Sequence, residues 1–403
     1  MRYDIRCTNW GGKHLEESVC PYNKYSIEKD KDIVADIYLF GTTNYAIREV
    51  RPMKKIRVGQ IGIGHNHGEA KMLAFRKFPE LFEVVGYAEE DPGWYERRNG
   101  LPGYEGLPYL SVEELLERCD AVIVETGVPN LTSVAQRCVD AGKHIHLDKP
   151  GSGTLEEFGR MLNTAKEKDL VVQMGYMYRY NPAIMKAIEA VKTGKLGEIY
   201  SINAEMSTYH SAAYRRWLTT FRGGIQYILG SHLVDLIVYL LGEPQNVVSF
   251  LKHTMLDGVD VADNNLSVLE YEKALARIFV SSVEVNGWGR RQFVVTGSKG
   301  TINIVPIENP TTMTYSDLSI TNQPYEHVKV DVEVEDVPKN ARYDSMVTDF
   351  YDYIMGNKEN PYTYEHDYTV QKVLTQMVAG DAPVPVQSDG YSPTDSLPAS
   401  ARK

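Results

Sequence analysis

Short apolar runs alternate with stretches of helical spacing from residue 56 onward. This pattern predicts strands at 56–61, 82–88, 121–125 and 144–146, with helices between them at 68–78, 112–118 and 131–141. Each helix is compatible with one crossover between parallel strands. The alternation is typical of a doubly wound sheet covered by helices on both faces, which we expect for the first half of the chain.

The pattern changes after a further predicted helix at 155–168 and a strand at 171–177. Six segments then alternate apolar and polar residues as half-exposed antiparallel strands do, at 200–208, 246–253, 264–270, 276–282, 291–297 and 301–304. Helical spacing returns at 343–355 and 369–378. We therefore predict an α/β plus α+β chain, in which a doubly wound parallel sheet precedes a largely antiparallel open sheet.

The two ends of the chain lack this periodicity. Within residues 1–52 only 32–40 resembles a short apolar element. Two interpretations stay open: an early start codon or cloning extension outside the core, and an arm that packs on a neighbouring subunit. The tail from residue 379 is rich in Pro, Ser, Ala and Asp, so we expect it to be mobile.

Composition and charge narrow the class of partner. The 403 residues include 43% hydrophobic and 24% charged residues, as in globular proteins, and the length suits two domains. A formal net charge of -11 repels polyanions, which disfavours nucleic acid and anionic membranes and favours a small-molecule partner. No window is apolar enough to predict a membrane span. Four cysteines lack metal or redox spacing, which favours reduced thiols in the cytoplasm: Cys7, Cys20, Cys119 and Cys138.

A glycine turn follows the first strand of the predicted parallel sheet. Gly62 and Gly64 fit the first two positions of a dinucleotide-binding turn, whereas the third position is His67 and Gly68 comes one residue later. Such a turn lets the main chain approach a pyrophosphate at a helix N-terminus. The alternative is a glycine turn that binds no ligand.

An acidic residue ends the second predicted strand. Glu89 lies where a carboxylate would accept hydrogen bonds from the adenosine ribose hydroxyls, which favours NAD over NADP. Arg97 and Arg98 follow a short distance downstream. We expect Glu90 and Asp91 to form an exposed acidic turn.

Three further motifs follow in a characteristic order. Asp148-Lys149-Pro150 ends a predicted parallel strand, Arg179 lies within Tyr178-Arg-Tyr-Asn-Pro182, and a later run reads Gly230-Ser-His232-Leu-Val-Asp235. With the glycine turn, these motifs resemble the Gfo/Idh/MocA family of glucose-fructose oxidoreductase, inositol 2-dehydrogenase and the rhizopine-catabolism proteins, whose Glu-Lys-Pro appears here as Asp148-Lys149-Pro150. The resemblance covers about residues 55–378.

The resemblance implies a domain order and an activity. We expect an extension at 1–54, an NAD-binding Rossmann domain at 55–172, a substrate-binding and oligomerisation sheet domain at 173–340, C-terminal helices at 341–378 and a flexible tail at 379–403. The implied activity is NAD-dependent oxidation or reduction of a hydroxyl on a sugar, glycoside or cyclitol by a homodimer or homotetramer. Two alternatives stay open: redox-neutral glycoside cleavage through a transient ketone, and a non-catalytic NAD-binding sensor or scaffold.

The same resemblance assigns the reacting groups. Lys149 contacts the hydroxyl and helps to position the nicotinamide, while His232 exchanges a proton with that hydroxyl. An imidazole titrates near working pH, and an ammonium stabilises alkoxide character. The residues expected to bind the cofactor are Gly62, Gly64, His65, Asn66, His67, Glu89, Thr126, Pro129, Asn130, Asp148 and Lys149.

One position departs from the family pattern. Members commonly carry an aspartate one helical turn before the histidine, and this chain has Ile228 there. His232 is therefore either unsupported or supported by another group. The polar candidates are Asp235, Tyr227, Tyr176 and Tyr180.

A polar and aromatic segment follows the first strand of the second domain. His210, Tyr214 and Arg215 combine groups that stack on sugar faces and bond hydroxyls, so we expect them in the substrate wall. A solvated loop or a subunit contact is the alternative. The residues expected to bind substrate are Lys149, Arg179, Tyr180, His210, Tyr214, Arg215 and His232, although Arg179 could serve the domain interface instead.

Histidines also cluster near the predicted site. His144, His146 and Asp148 share one strand face, and His65 and His67 lie on a nearby loop, so a zinc site is conceivable. We predict no metal, because the nicotinamide reaction requires none.

Overall fold

The computed structural model describes residues 24–28, 33–40, 44–52, 54–321, 323 and 325–381. Its first element is a three-stranded antiparallel sheet of β1 (Lys24–Glu28), β2 (Ile33–Phe40) and β3 (Asn44–Pro52). The prediction of an irregular segment holding one element was wrong, since only β2 was expected. Charged residues interrupt the apolar positions of β1 and β3, which weakens their sequence signal. The predicted mobile tail lies outside the described residues beyond Asp381.

A five-stranded parallel sheet begins at residue 56. Its order is β5-β4-β6-β7-β8, with β4 (Ile56–Ile61), β5 (Phe82–Ala88), β6 (Ala121–Val124), β7 (His144–Leu147) and β8 (Val172–Met174). The order reverses on either side of β4, which opens a crevice at the carboxyl ends of β4 and β6. The predicted parallel sheet is therefore confirmed.

Five helices accompany this sheet: α1 (Gly68–Arg76), α2 (Pro92–Arg98), α3 (Val112–Arg118), α4 (Leu131–Asp140) and α5 (Leu155–Glu167). Every residue of β6 is buried, as expected for a strand between two helical layers. Helix α2 was not predicted. Asp91 caps it by accepting hydrogen bonds from Gly93 N and Trp94 N, so this expected acidic turn is a helix start.

The second domain is built on an eight-stranded sheet of order β10-β11-β12-β9-β13-β14-β15-β16. All neighbours are antiparallel except β12 and β9, which confirms a largely antiparallel sheet. The strands are β9 (Ile199–Glu205), β10 (Asn246–Lys252), β11 (Asn264–Glu270), β12 (Leu275–Ser281), β13 (Gln292–Gly297), β14 (Gly300–Ile304), β15 (Met313–Asp317) and β16 (Val330–Val332).

Four helices of this domain were not predicted: α6 (Pro182–Lys192), α7 (Ala212–Leu218), α8 (Ile225–Ile228) and α9 (Gly230–Leu241). Helix α9 is buried from Gly230 to Val238, including the polar residues Ser231, His232 and Asp235, so it lacks the exposed polar face by which helical periodicity is recognised. It packs on β9 and β12 and delivers His232 to the domain junction.

Two further helices, α10 (Asp344–Met355) and α11 (Tyr364–Val378), contact both domains. Phe350 of α10 packs on Phe75 and lies in one apolar cluster with the first sheet, while α11 contacts α5 and α9. Helix α11 begins five residues before the predicted start, because Thr363 caps a polar first turn. Among the described residues, no helix has both the length and the apolar composition to cross a membrane.

Candidate active site and cofactor-binding loop

The glycine turn between β4 and α1 is shaped by close main-chain contacts. Gly62 has φ of +88°, and a Cβ there would lie 2.3 Å from the main-chain nitrogen of Thr126. A Cβ on Gly68 would lie 3.1 Å from the Tyr104 hydroxyl oxygen. Gly68, rather than His67, thus supplies the close packing that the third glycine of the motif provides.

Glu89 holds this turn from the end of β5. Its carboxylate accepts hydrogen bonds from Ile63 N at 2.7 Å and Asp91 N at 2.9 Å. Arg98 donates to the carbonyl oxygens of Ile63 at 3.3 Å and His65 at 2.9 Å. The turn is therefore fixed from two sides, and its glycine cradle and nearby acid fit a dinucleotide.

The remaining cofactor candidates surround the same crevice. Asn66 is half-buried in the turn, and Thr126 follows β6 directly beside Gly62. Pro129 and Asn130 are exposed at the start of α4. Gly64 packs against the Trp94 side chain, a neighbour that sequence reasoning missed because α2 was not predicted.

Asp148, at the end of β7, contacts two histidines of the glycine turn. Its Oδ2 lies 2.9 Å from His65 Nδ1 and 2.8 Å from His67 Nδ1, and its Oδ1 accepts the main-chain N–H of Lys149 at 2.7 Å. Burial lowers the pKa of His67 to about 3, despite the opposing charge of Asp148. Asp148, His65 and His67 therefore form one cluster.

Two buried charged residues beside this cluster were missed by sequence reasoning. Lys71 is fully buried, donates to His146 Nε2 at 2.6 Å and lies 3.8 Å from Glu125. Burial, with the charge of Asp148, raises the pKa of Glu125 to about 7. In the sequence, Lys71 and Glu125 are charged residues within or next to a predicted helix or strand. Periodicity alone does not distinguish a buried charge of this kind from a surface charge.

The two strand histidines have other partners. His144 Nδ1 accepts the Val171 N–H at 2.9 Å, and His146 Nδ1 lies 2.8 Å from Gln173 Oε1. Of the residues considered for a zinc site, His144 and His146 therefore have other partners, whereas His65, His67 and Asp148 come together.

Lys149 is buried at the junction of the two domains. Its Nζ donates to the carbonyl oxygen of Ile228 at 3.2 Å, and its side chain follows the end of β7. Burial lowers its pKa to about 8, with Asp148 opposing that change and the charges of Lys71 and Arg342 adding to it. Such an ammonium exchanges its proton near working pH.

His232 faces the same junction from α9. Its ring lies edge-on to Tyr178 at 5.0 Å and to Tyr176 at 5.9 Å between centroids. Its buried Nδ1 has no hydrogen-bond partner within the part of the chain that the structure describes. Burial, and then the charge of Lys149, lower its pKa well below the ordinary value. His232 is therefore a neutral imidazole without carboxylate support.

None of the candidate supports bonds this imidazole. Asp235 bonds Arg179 and His366, the Tyr227 hydroxyl donates to the Gly151 carbonyl oxygen, and the Tyr180 hydroxyl accepts from Gln173 at 3.1 Å. Tyr176 contributes only its ring edge. Ile228, the last residue of α8, has an apolar side chain that cannot bond the imidazole as the family aspartate would.

Arg179 lies at the domain interface rather than in the substrate cleft. It is 3% exposed and donates to Asp235 at 2.6 Å and to Asp367 at 2.7 Å. Its guanidinium also lies over the Tyr362 ring at 3.8 Å. The expected substrate contact is corrected to a buried ion-pair cluster that joins α9 and α11 to the turn after β8.

The expected substrate segment divides into two parts. His210 stacks on Tyr214 with 3.7 Å between ring centroids. Arg215 is fully buried, donates to the Leu256 carbonyl oxygen at 2.8 Å and bonds Asp257. Arg215 is thus an internal anchor, which corrects its expected substrate role.

A cleft of about 240 Å³ lies next to Tyr178, and neither Lys149 nor His232 is among the residues that line it. Tyr178 connects this cleft with His232, because its ring contacts His232 and its hydroxyl bonds Glu308, which also lines the cleft. Aromatic, acidic and basic side chains line it: Met177, Tyr178, Tyr180, Asn181, Trp288, Glu308, Asn309, Thr311, Asp336, Val337, Lys339 and Arg342. Sequence reasoning named only Tyr180 among these as a substrate residue. Met177, Tyr178 and Asn181 belong to the same short segment, whereas the others come from parts of the chain more than 100 residues away.

Comparison with known proteins agrees with this geometry. The model for the oxidoreductase family with an NAD-binding Rossmann fold, GFO/IDH/MocA, matches residues 56–176, and the model for the GFO/IDH/MocA C-terminal domain matches residues 184–303. Dehydrogenase aclE of Aspergillus oryzae is 25% identical over 299 residues, which cover 65% of this chain and 79% of that protein.

Two further proteins are similar to this chain, one in sequence and one in fold. Levoglucosan dehydrogenase of Pseudarthrobacter phenanthrenivorans is 27% identical over 208 residues, covering 47% of this chain and 52% of that protein. The solved structure of UDP-N-acetylglucosamine 3-dehydrogenase GnnA from Acidithiobacillus ferrooxidans shares the fold, with a TM-score of 0.67 at 20% identity over 82% of this chain and 98% of that one. The chain belongs to the Gfo/Idh/MocA family of oxidoreductases, and its first domain is an NAD-binding Rossmann fold.

Proposed function

We propose that this protein transfers hydride between NAD and a secondary hydroxyl or ketone of a sugar, glycoside or cyclitol. The observation that carries the proposal is Lys149, a buried ammonium at the end of β7, between the glycine turn and His232. Ligands of doubly wound sheets bind at this end of the strands. When bound there, NAD supplies the hydride acceptor, or the donor in the reverse direction.

Lys149 and His232 act on the proton of the reacting hydroxyl. Lys149, whose pKa is lowered to about 8, is suited to exchange a proton near working pH, whereas burial holds the pKa of His232 well below its ordinary value. Its ammonium also stabilises alkoxide character on the substrate oxygen. Neutral His232 accepts a hydrogen bond from the hydroxyl and orients it.

The composition of the cleft next to Tyr178 supports a carbohydrate substrate. Tyr178, Tyr180 and Trp288 supply aromatic faces, and Glu308 and Asn181 supply groups that bond hydroxyls. The names of levoglucosan dehydrogenase and UDP-N-acetylglucosamine 3-dehydrogenase both refer to carbohydrates. These features favour catalysis on a sugar over a non-catalytic NAD sensor.

We also propose a cytoplasmic homodimer or homotetramer that associates through the open sheet. Val248 and Phe250 are exposed on β10, beside Val268 and Leu266 on the paired strand β11. An exposed apolar sheet face of this kind is typical of subunit contacts. Cys119 and Cys138 are free thiols, which suits a reducing compartment.

The activity is tested by mixing protein and NAD with a panel of sugars, glycosides and inositols, and by following NADH absorbance and aglycone release together. NADH formation with at least one compound is the expected result. Aglycone release without net NADH would favour redox-neutral cleavage. Cofactor binding with no turnover in either direction would contradict the proposal and favour a sensor.

Replacing Gly62 by Ala should weaken NAD binding about 100-fold or more. The new Cβ would lie 2.3 Å from Thr126 N, in a backbone conformation that costs about 1 to 2 kcal/mol for L residues, so the turn must move. Gly127→Ala is the matched control, because it adds a methyl group to the neighbouring loop with nothing within 4 Å. Calorimetric titration with NAD checks both, and equal affinities would contradict the assigned turn.

Ile228→Asp tests the lack of support for His232. A carboxylate one helical turn before His232 should raise the pKa of the imidazole, and the pH profile of kcat/KM should gain a titrating group nearer neutrality. Ile228→Asn has the same shape without the charge and should not add this group. Identical profiles for the two variants would contradict the expectation.

A further inference from the structure

A cluster of ligand atoms lies beneath the glycine turn, separate from the lysine that acts on the substrate. His65 Nδ1, His67 Nδ1 and Asp148 Oδ2 all lie within 4.8 Å of one another. They come from two elements that meet at the sheet crevice, the turn after β4 and the end of β7. Glu125, at the end of β6, adds Oε2 at 3.3 Å from His65 Nδ1.

Hydrogen bonding within the protein does not satisfy this cluster. The main-chain N–H of His67 donates to His65 Nδ1 at 3.2 Å, which requires a lone pair on that nitrogen. The same nitrogen faces the carboxylate oxygens of Asp148 at 2.9 Å and Glu125 at 3.3 Å, which are acceptors too. His65 Nδ1 then has no proton to donate to either carboxylate, although His67 Nδ1, at 2.8 Å, can donate to Asp148 Oδ2.

Glu125 is an independent sign of a missing partner. The residue is fully buried, and neither of its carboxylate oxygens has a hydrogen-bond partner among the residues that the structure describes. Its nearest potential cations are the His65 imidazole, with Nδ1 at 3.3 Å, and the Lys71 ammonium at 3.8 Å, which already donates to His146. A buried carboxylate without hydrogen bonds is costly, whereas coordination of a cation satisfies it.

We propose that His65, His67, Asp148 and Glu125 bind a divalent transition-metal ion, with Zn²⁺ as the best-matched species. Two imidazole nitrogens with carboxylate oxygens are a donor set that zinc accepts. Bonds of 2.0 to 2.1 Å in a tetrahedron separate neighbouring ligand atoms by about 3.3 Å. The nearest ligand atoms of this cluster lie 2.8, 2.9 and 3.3 Å apart, so the two shorter contacts open slightly when the ion binds. The His67 side chain is 27% exposed, which gives a path for the ion.

The bound ion ties the glycine turn to the strand end that carries Lys149. Asp148 Oδ1 accepts the Lys149 main-chain N–H at 2.7 Å, a contact that orients the carboxylate in the way outer-shell bonds orient metal ligands. The ion thus has a positioning role, and it requires no change in the proposed hydride transfer. This site differs from the strand set of His144, His146 and Asp148, which does not assemble.

The competing arrangement is an ion-pair network without metal. Burial alone would lower the pKa of His65, but Asp148 and Glu125 raise it to about 9, so a protonated imidazole could neutralise them instead. That arrangement places a proton on Nδ1 and leaves the His67 N–H without its acceptor. The two arrangements differ in metal content.

The test is zinc stoichiometry and spectroscopy on the full chain. Elemental analysis of the protein as purified, and after chelation and titration with Zn²⁺, should give about one ion per chain. Co²⁺ substitution of the wild-type protein should produce the visible absorption of a tetrahedral centre with nitrogen and oxygen ligands. Zn²⁺ should also raise the Tm of the chelated protein.

Matched variants distinguish this site from surface binding. His67→Ala and the near-isosteric Glu125→Gln should each weaken Zn²⁺ binding at least about tenfold. His327→Ala, which removes an exposed imidazole from the second domain, should leave binding unchanged. Absence of stoichiometric zinc and of cobalt bands in the wild-type protein would overturn the proposal, as would binding that is lost in His327→Ala and kept in Glu125→Gln.

Discussion

Lys149→Met should lower kcat/KM about 1000-fold while the protein stays folded and still binds NAD. Methionine preserves most of the length of the side chain but removes its charge and its exchangeable proton, and proton transfer of this kind contributes roughly 100- to 10,000-fold. Among the residues that the structure describes, the side chain makes one hydrogen bond, to the Ile228 carbonyl oxygen, so the structural loss is small. Initial rates with the substrate selected from the panel measure the effect.

Lys329→Met is the matched control for this prediction, because Lys329 is exposed on the second domain, outside the residues that line the cleft. Its activity should equal that of the wild-type protein. Retention of more than about one tenth of the activity by Lys149→Met would remove Lys149 from the reaction. Loss of NAD binding in the same variant would assign the defect to the cofactor instead.

Arg179→Met should lower the free energy of unfolding by about 3 to 5 kcal/mol. The substitution removes the cation between Asp235 and Asp367, and breaking a buried pair leaves uncompensated buried charge. His366 remains 2.9 Å from Asp235 and offsets part of the loss. Denaturant unfolding followed by circular dichroism measures the change.

A surface pair provides the comparison for Arg179. Arg137 bonds Glu90 at 2.6 Å, but both side chains are substantially exposed, and such pairs contribute about 0 to 1 kcal/mol. Arg137→Met should therefore change stability little. Equal losses in the two variants would show that burial does not govern these ion pairs.

The first domain could be predicted from sequence because its signals are local. A few consecutive residues are enough to recognise each of them: the four-residue apolar strand β6, the glycine turn and the acid after β5. The site motif at Lys149 was also local, and the family models confirm the family that it indicated. By contrast, α9 is buried from Gly230 to Val238 together with its polar residues Ser231, His232 and Asp235, so its helical period is hidden.

Side-chain partners could not be predicted in the same way. Arg215 and Arg179 have the composition of substrate-binding groups, yet each is buried against carboxylates that lie 42 to 188 residues away in the chain. Lys71 and Glu125 meet only because the fold brings the side chain of a residue on α1 to the end of β6. Pairings of this kind depend on tertiary geometry, which one sequence without its fold does not reveal.

Deuterium transfer tests the central claim most directly. With the substrate from the panel deuterated at the carbon that bears the reacting hydroxyl, mass spectrometry of the cofactor after turnover should find one deuterium on the nicotinamide ring, and none with Lys149→Met under the same conditions. Turnover that leaves the nicotinamide unlabelled while deuterium passes to solvent would contradict hydride transfer to NAD.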